Sequence, residues 1–89
     1  MLECDMVKFE FTTHAQTVAI SRAIKNEWIT STLSTPEICL ADREDPELMH
    51  ALSRISEHEN RVLRVVYNAY TELVRVVTVF FDRNMRGKL

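Results

Sequence analysis

The chain has 89 residues, 46% of them hydrophobic, which is enough for a single domain over residues 1–89 with one modest core and excludes two independent domains. It contains only one Gly and two Pro, and 27% of its residues are charged, so the composition argues against a disordered protein. The formal net charge is -2, and no segment approaches the roughly 20 apolar residues that span a bilayer. We therefore expect a cytoplasmic location and no membrane contact.

The front of the chain predicts a strand followed by a helix. Residues 7–11 alternate apolar and charged side chains, which is the period of a strand with one buried face. Thr12 or Thr13 can cap the helix that follows. This helix carries His14 and, slightly more than two turns later, Arg22, so the two side chains are predicted to project from nearby faces.

A second helix is predicted directly behind the first, which makes a helical hairpin. Asn26 fits a helix cap, and Pro36 fits the point at which the helix has ended. The residues between them contain an apolar stripe with Trp28 at its centre. Such a stripe is typical of a helix that packs on a core.

The middle of the chain has one segment whose structure the local pattern leaves open. Residues 37–42 fit a strand, and an acidic turn follows them. Apolar residues then recur at helical spacing in residues 48–55, behind Asp45 and Pro46, which fit an N-cap and a first helical residue. Local spacing alone favours a helix there.

The rear of the chain predicts an antiparallel hairpin at the heart of a sheet. Residues 61–68 and 73–82 are rich in β-branched and aromatic side chains and are joined by a short polar link. The basic tail, residues 84–89, is predicted to be mobile.

The positive charge of the chain is concentrated in residues 61–89, which contain only two acidic residues, Glu72 and Asp82. The basic residues there are Arg61, Arg64, Arg75, Arg83, Arg86 and Lys88. A local basic surface can attract polyanions because guanidinium groups pair with phosphates. Arg residues that alternate with Val can also be no more than a solvated strand face, and both interpretations stay open here.

Three segments together carry a resemblance to a known family. They are residues 11–15 (Phe-Thr-Thr-His-Ala) with Arg22, residues 61–67 (Arg-Val-Leu-Arg-Val-Val-Tyr), and residues 76–83 (Val-Val-Thr-Val-Phe-Phe-Asp-Arg). In this order, they resemble a bacterial domain family of unassigned function that is allied to the BrnT and RelE toxins. The resemblance runs from about Val7 to the C-terminus.

The resemblance implies an α+β fold in β-α-α-β-β-β-β order, with two helices packed on one face of a small, mainly antiparallel sheet. It also implies a strand at residues 48–55, and we adopt that prediction because tertiary pairing often overrides local propensity. The chain departs from many relatives at Val18, where they carry an additional Arg, and at Ala23, where they carry Gly. The turn at residues 58–60 also lacks the Gly that is common in relatives.

The activity implied by the related toxins is metal-independent cleavage of RNA. In this reaction the ribose 2′-hydroxyl attacks the neighbouring phosphate, so the site needs a base, an acid and cations near the developing charge. The resemblance implicates His14, Arg22 and Arg83 as catalytic residues. Each also has a structural interpretation: His14 can satisfy free backbone groups at the helix start, and Arg22 can pair with Glu27 or Asp42.

Arg64, Tyr67 and Arg86 are the predicted substrate-binding residues. Tyr67 could stack on an unpaired base, although a tyrosine at the end of an apolar strand is often a half-buried edge residue. No metal or cofactor is predicted, because the chain has no Gly-rich phosphate loop and no HExxH motif. Cys4 and Cys39 lack CxxC spacing and are expected to stay reduced.

The resulting functional hypothesis is a small RelE-like or BrnT-like protein that acts on RNA, as the toxin of a toxin–antitoxin pair. Its expected partners are RNA and an acidic, partly disordered antitoxin that covers the basic face. The alternative is a non-catalytic interaction module that binds a protein or a second copy of itself, as a homodimer, through exposed strand edges.

Overall fold

The computed structural model describes residues 9–70, 73–85 and 87–88, and within them it contains two α-helices and five β-strands. In chain order these are β1 (Phe9–Phe11), α1 (Thr13–Ser21), α2 (Asn26–Ser34), β2 (Ile38–Ala41), β3 (Leu48–Ile55), β4 (Arg61–Asn68) and β5 (Val74–Phe81). Short 3-10 turns follow β3 at Ser56–His58 and β5 at Arg83–Met85. The predictions for Cys4, Val7 and Arg86 fall outside the described residues.

The strands form one sheet in the order β1-β5-β4-β3-β2. β1 runs parallel to β5, and the other neighbouring strands are antiparallel. Of the helices, α1 packs against β5 and β1, while α2 packs against β4 and β3. The predicted α+β architecture, with two helices on a mainly antiparallel sheet, is confirmed.

Residues 48–55 form strand β3, as the resemblance implies, although their local spacing fits a helix. Every residue of β3 pairs with a residue of β4, and residues 49–52 also pair with β2. A strand with neighbours on both sides gains cross-strand contacts and main-chain hydrogen bonds. These interactions outweigh the local preference of the segment for a helix.

The two helices begin differently. Of the two predicted caps, Thr12 is the N-cap of α1, and its side-chain oxygen accepts a hydrogen bond from the backbone N–H of Ala15 at 3.1 Å. The prediction for Asn26 is wrong by one position, because Asn26 is the first residue of α2 and Lys25 is the N-cap. The Lys25 side chain makes no capping hydrogen bond, since an ammonium group has no acceptor to offer a backbone N–H.

The end of α1 is a tight left-handed turn. Arg22 is the C-cap, and Ala23 behind it has a positive φ of 55°. The N–H of Ala23 donates to the carbonyl of Ile20 at 3.2 Å, and the N–H of Ile24 donates to the carbonyl of Ala19 at 2.9 Å. This is a Schellman motif, in which Gly is the preferred residue at the left-handed position. The departure from Gly to Ala23 therefore falls on a strained backbone position.

The core lies between the helices and one face of the sheet. Trp28 is only 8% exposed, so the predicted apolar stripe of α2 is confirmed. The buried residues of this core are Ala15, Ala19, Ile24, Trp28, Ile29, Ile55, Leu63, Val65, Val76 and Val79. Because Leu63 and Val65 face the core, Arg64 between them lies on the opposite face of the sheet, which we call the open face.

Candidate functional site

The hairpin of β4 and β5 brings two arginines to the same end of the sheet. Leu63 near the start of β4 pairs with Phe81 at the end of β5. Arg61 begins β4, and Arg83 begins the turn that follows β5. Because β4 and β5 are antiparallel, the first residue of β4 is a neighbour of the residues that follow the end of β5.

A cleft with a volume of about 530 Å³ opens at this end of the sheet. The end of α1 contributes Arg22, and the turn after β3 contributes His58. The residues that line the cleft are Arg22, His58, Arg61, Val62, Phe81, Asp82 and Arg83. Three arginines from three separate parts of the chain thus line one cleft, and we call Arg22, Arg61 and Arg83 the cleft arginines.

The cleft arginines differ from Arg54 of β3, Arg64 of β4 and Arg75 of β5, which we call the sheet arginines. The ion pairs of the sheet arginines are Arg54–Glu37, Arg64–Asp82 and Arg75–Glu10, with N···O distances of 2.8, 2.8 and 2.9 Å. Among the residues that the structure describes, none of the cleft arginines has a carboxylate within 4.0 Å. Within that part of the chain, no carboxylate occupies their donors.

An aromatic stack forms one wall of the cleft. The centroid of the His58 ring lies 4.7 Å from that of Phe81 and 5.4 Å from that of Trp28. The indole N–H of Trp28 donates a hydrogen bond to Glu57 at 2.8 Å, which fixes the orientation of the indole. The stack thus holds an imidazole in the cleft, and an imidazole can accept or donate a proton near neutral pH.

A chain of hydrogen-bonded polar side chains crosses the open face and ends at the cleft. Asp42 Oδ1 lies 2.7 Å from His50 Nε2, Arg64 Nη1 lies 2.7 Å from His50 Nδ1, and Arg64 Nε donates to Asp82 Oδ2 at 2.8 Å. We call these four residues the polar chain. Hydrogen bonds from the backbone N–H of Asp45 and from His50 lower the pKa of Asp42 to about 2.

The structure brings together two of the three predicted catalytic residues. Arg22 and Arg83 line the cleft, whereas His14 lies near the other end of α1. Eight residues of α-helix rise by roughly 12 Å. His14 and Arg22 are therefore too far apart along α1 to belong to one site, although they project from nearby faces of the helix. The imidazole Nε2 of His14 lies 3.3 Å from the hydroxyl of Thr78.

The predicted substrate-binding residues lie outside the cleft lining or outside the described part of the chain. Arg64 belongs to the polar chain and reaches the cleft through Asp82. The hydroxyl of Tyr67 lies 3.5 Å from the sulfur of Cys39, and burial raises the pKa of Tyr67 to about 12. Arg86 is not among the described residues.

His58 and Arg61, which line the cleft, were not predicted as site residues. The signal for Arg61 is present in the sequence, because a hairpin of residues 61–68 and 73–82 places Arg61 beside Arg83. The position of His58 could not be found in this way, since it depends on the 3-10 turn between β3 and β4.

Two further findings concern residues 9–70, 73–85 and 87–88 alone. Within these ranges, no group of three or more His, Cys, Asp or Glu side chains could hold a metal ion. No helix in them has the length and apolar character needed to cross a membrane.

These observations define a class of protein: an α+β domain with two helices on a five-stranded sheet and an arginine-lined cleft at one end. Residues 11–81, which are most of the chain, match the family described as a domain of unknown function, DUF4258, and the chain belongs to this family. Comparisons with curated proteins and with solved structures found no match. The matched region contains Arg22, His58 and Arg61, and Arg83 lies just beyond it.

Proposed function

We propose that the cleft binds RNA and that the protein is a ribonuclease of the BrnT and RelE type. The observation that carries this proposal is the convergence of the cleft arginines on one cleft without carboxylate partners in the described part of the chain. A guanidinium group binds a phosphate through two parallel hydrogen bonds. RNA supplies phosphates at regular intervals, so one strand can engage more than one of these arginines.

The proposed reaction is attack of a ribose 2′-hydroxyl on the adjacent phosphorus. A bond forms between O2′ and phosphorus, the bond from phosphorus to the 5′-oxygen breaks, and the products are a 2′,3′-cyclic phosphate and a 5′-hydroxyl. One group must take the 2′ proton, and another must give a proton to the departing oxygen. Because His58 is the histidine that lines the cleft, we assign removal of the 2′ proton to His58, stabilisation of the phosphorane charge to the cleft arginines, and protonation of the departing 5′-oxygen to water in the open cleft.

As a toxin, the protein needs an antitoxin that blocks the cleft. An acidic segment that is disordered when free could fold over the cleft arginines, and its carboxylates would take the place of RNA phosphates. A cytoplasmic location gives the protein access to cellular RNA.

The ribonuclease proposal is tested by tightly controlled expression of the protein in bacteria, while growth and total RNA are measured together. The variants are His58→Phe, which keeps the aromatic stack but cannot transfer a proton, and His14→Ala, which probes the residue predicted from the sequence. We expect growth arrest and RNA loss with the parent protein and neither effect with His58→Phe.

Thermal melts of the purified variants provide the control, since an inactive variant is informative only when it is folded. Loss of RNA cleavage in folded His14→Ala, with full activity in His58→Phe, would contradict the assignment to His58. A folded parent protein that neither arrests growth nor cleaves RNA would contradict the ribonuclease proposal itself.

The alternative, an interaction module, is favoured by one observation, the exposed edge of the sheet. β2 is the last strand in the sheet order, and Cys39, Leu40 and Ala41 in it are exposed. An open strand edge can pair with a strand of another chain. The N–H of Asp42 donates to the carbonyl of Leu48 across the β2–β3 pair, so the N–H of Ala41 points to the free edge. Light scattering of the parent protein and of Ala41→Pro tests this alternative, because the proline removes a donor from the free edge of β2 and leaves the pairing with β3 intact.

A further inference from the structure

Asp82 is an acidic residue in the wall of a cleft that is otherwise cationic. It lies in the cleft lining with Arg61 and Arg83, and its N–H donates to the carbonyl of Val62 at 2.8 Å. Asp82 directly precedes Arg83, and a carboxylate in a cationic cleft can pair with an arginine and neutralise it. In the structure, Asp82 makes its ion pair with Arg64 on the open face instead.

Both oxygens of the Asp82 carboxylate are occupied. Oδ2 accepts a hydrogen bond from Arg64 Nε at 2.8 Å, and Oδ1 accepts one from the backbone N–H of Asn84 at 2.9 Å. The side chains of Arg64 and Asp82 are only 16% and 11% exposed. Limited access of water strengthens this ion pair relative to one on the surface.

Arg64 is itself held in place by the rest of the polar chain. Its guanidinium is always protonated, so Nη1 must donate to Nδ1 of His50, and Nδ1 carries no hydrogen. The hydrogen of the neutral imidazole is then on Nε2 and is donated to Asp42 at 2.7 Å. Asp42 is anchored in turn by the backbone N–H groups of Glu44 and Asp45, at 3.1 and 2.9 Å.

We propose that Arg64 is a positioning residue that holds Asp82 away from the cleft arginines and so keeps them free to bind a phosphodiester. This inference rests on the proposed function of the cleft. It assigns to the polar chain the role of keeping the cleft positively charged. Without Arg64, the Asp82 carboxylate loses its partner on the open face. It then pairs with Arg61 or Arg83 and competes with the phosphate.

The experiment measures binding of a short, fluorescein-labelled 2′-O-methyl RNA, which cannot be cleaved, by fluorescence anisotropy. We compare the parent protein with Arg64→Gln and with the double variant Arg64→Gln/Asp82→Asn. We expect affinity to fall about tenfold in Arg64→Gln, because one charged hydrogen-bond partner of the phosphate is lost to Asp82. The double variant should return to near the parent affinity, since the neutral amide introduced by Asp82→Asn does not compete with the phosphate.

Recovery of RNA affinity in the double variant distinguishes a positioning role of Arg64 from a merely structural one. If Arg64 only stabilised the fold, Asp82→Asn would not restore the affinity. If Arg64→Gln does not fold, the comparison is made with Arg64→Met and Arg64→Met/Asp82→Asn, in which an apolar side chain of similar length replaces Arg64. Unchanged affinity in the folded single variant, or no recovery in the folded double variant, overturns the positioning role. Absence of RNA binding by the parent protein overturns the proposed function instead.

Discussion

The arginines of the sheet and the arginines of the cleft are chemically identical but have different surroundings. Each sheet arginine binds a carboxylate and joins two segments of the chain, as Arg75 of β5 joins Glu10 of β1. Hydrogen bonds from Arg54 likewise lower the pKa of Glu37, which precedes β2. The cleft arginines make no such pair within the described residues. The first set joins segments of the fold, and the second set is the one that we propose binds RNA.

Of the predicted effects that distinguish the two sets of arginines, the largest is the effect on RNA binding. Replacement of all three cleft arginines by Gln should weaken binding of single-stranded RNA about a thousandfold, since each charged hydrogen bond contributes roughly 1.5 kcal/mol. The dependence of affinity on salt should also become shallower, because fewer phosphate contacts release fewer counterions. Anisotropy titrations at several salt concentrations measure both effects.

The matched control is the triple variant Arg43→Gln/Arg54→Gln/Arg75→Gln, which changes the net charge by the same amount outside the cleft. It should bind RNA much more tightly than the cleft variant does. Equal losses in the two triple variants would show that overall charge, and not the cleft, attracts RNA.

The second predicted effect is on stability, and here the loss of a sheet arginine should matter more than the loss of a cleft arginine. Arg64→Ala should lower the free energy of unfolding by about 3 kcal/mol, because it breaks the largely buried ion pair with Asp82 and removes the central member of the polar chain. Arg61→Ala, at an exposed site in the cleft, should change it by no more than about 0.5 kcal/mol. Urea unfolding of the two variants measures the difference, and a larger loss in Arg61→Ala would contradict the division into two sets.

A smaller effect is expected at the backbone next to a cleft arginine. Ala23, directly after Arg22, has a φ of 55°, and Gly at this position should stabilise the protein by about 1 kcal/mol. Because Ala23→Gly changes no charge, it should raise the melting temperature and leave the cleft arginines in place. A lower melting temperature would show that the left-handed turn is not strained.

The smallest effect concerns acid stability and the far end of the polar chain. The pKa of Asp42 is lowered from its ordinary value of 3.8 to about 2, so its contribution to stability is present above pH 3.8 and is lost as the pH falls through 2. Asp42→Asn should therefore be less stable than the parent at neutral pH, and the difference should shrink between these two pH values. Urea midpoints at a series of pH values measure it, and a constant difference down to pH 2 would contradict the assignment.

Much of the fold was predictable because its signals are local. The β-branched runs of β4 and β5 and the Thr12 cap of α1 each follow from a few neighbouring residues. Residues 48–55 are different, since their own spacing fits a helix and only pairing with β2 and β4 makes them a strand. The strand prediction there depended on the family resemblance.

The site was less predictable than the fold because it depends on distances between elements. Helical periodicity placed His14 and Arg22 on nearby faces, but the rise along α1 separates them. The polar chain joins Asp42, His50 and Arg64 across neighbouring strands, and a sequence shows no such register. The left-handed positions are a further case: Ala23 and Glu59 have φ of 55° and 58°, and the residue type at neither position indicates a left-handed backbone.

The most direct test of the division between the two sets of arginines is NMR observation of their side-chain Nε–Hε signals while the 2′-O-methyl RNA is added. We expect the signals of Arg22, Arg61 and Arg83 to shift together and to reach saturation, while those of Arg54 and Arg75 stay in place. Shifts confined to Arg54 and Arg75, with none at the cleft arginines, would contradict the assignment of the cleft as the RNA-binding site.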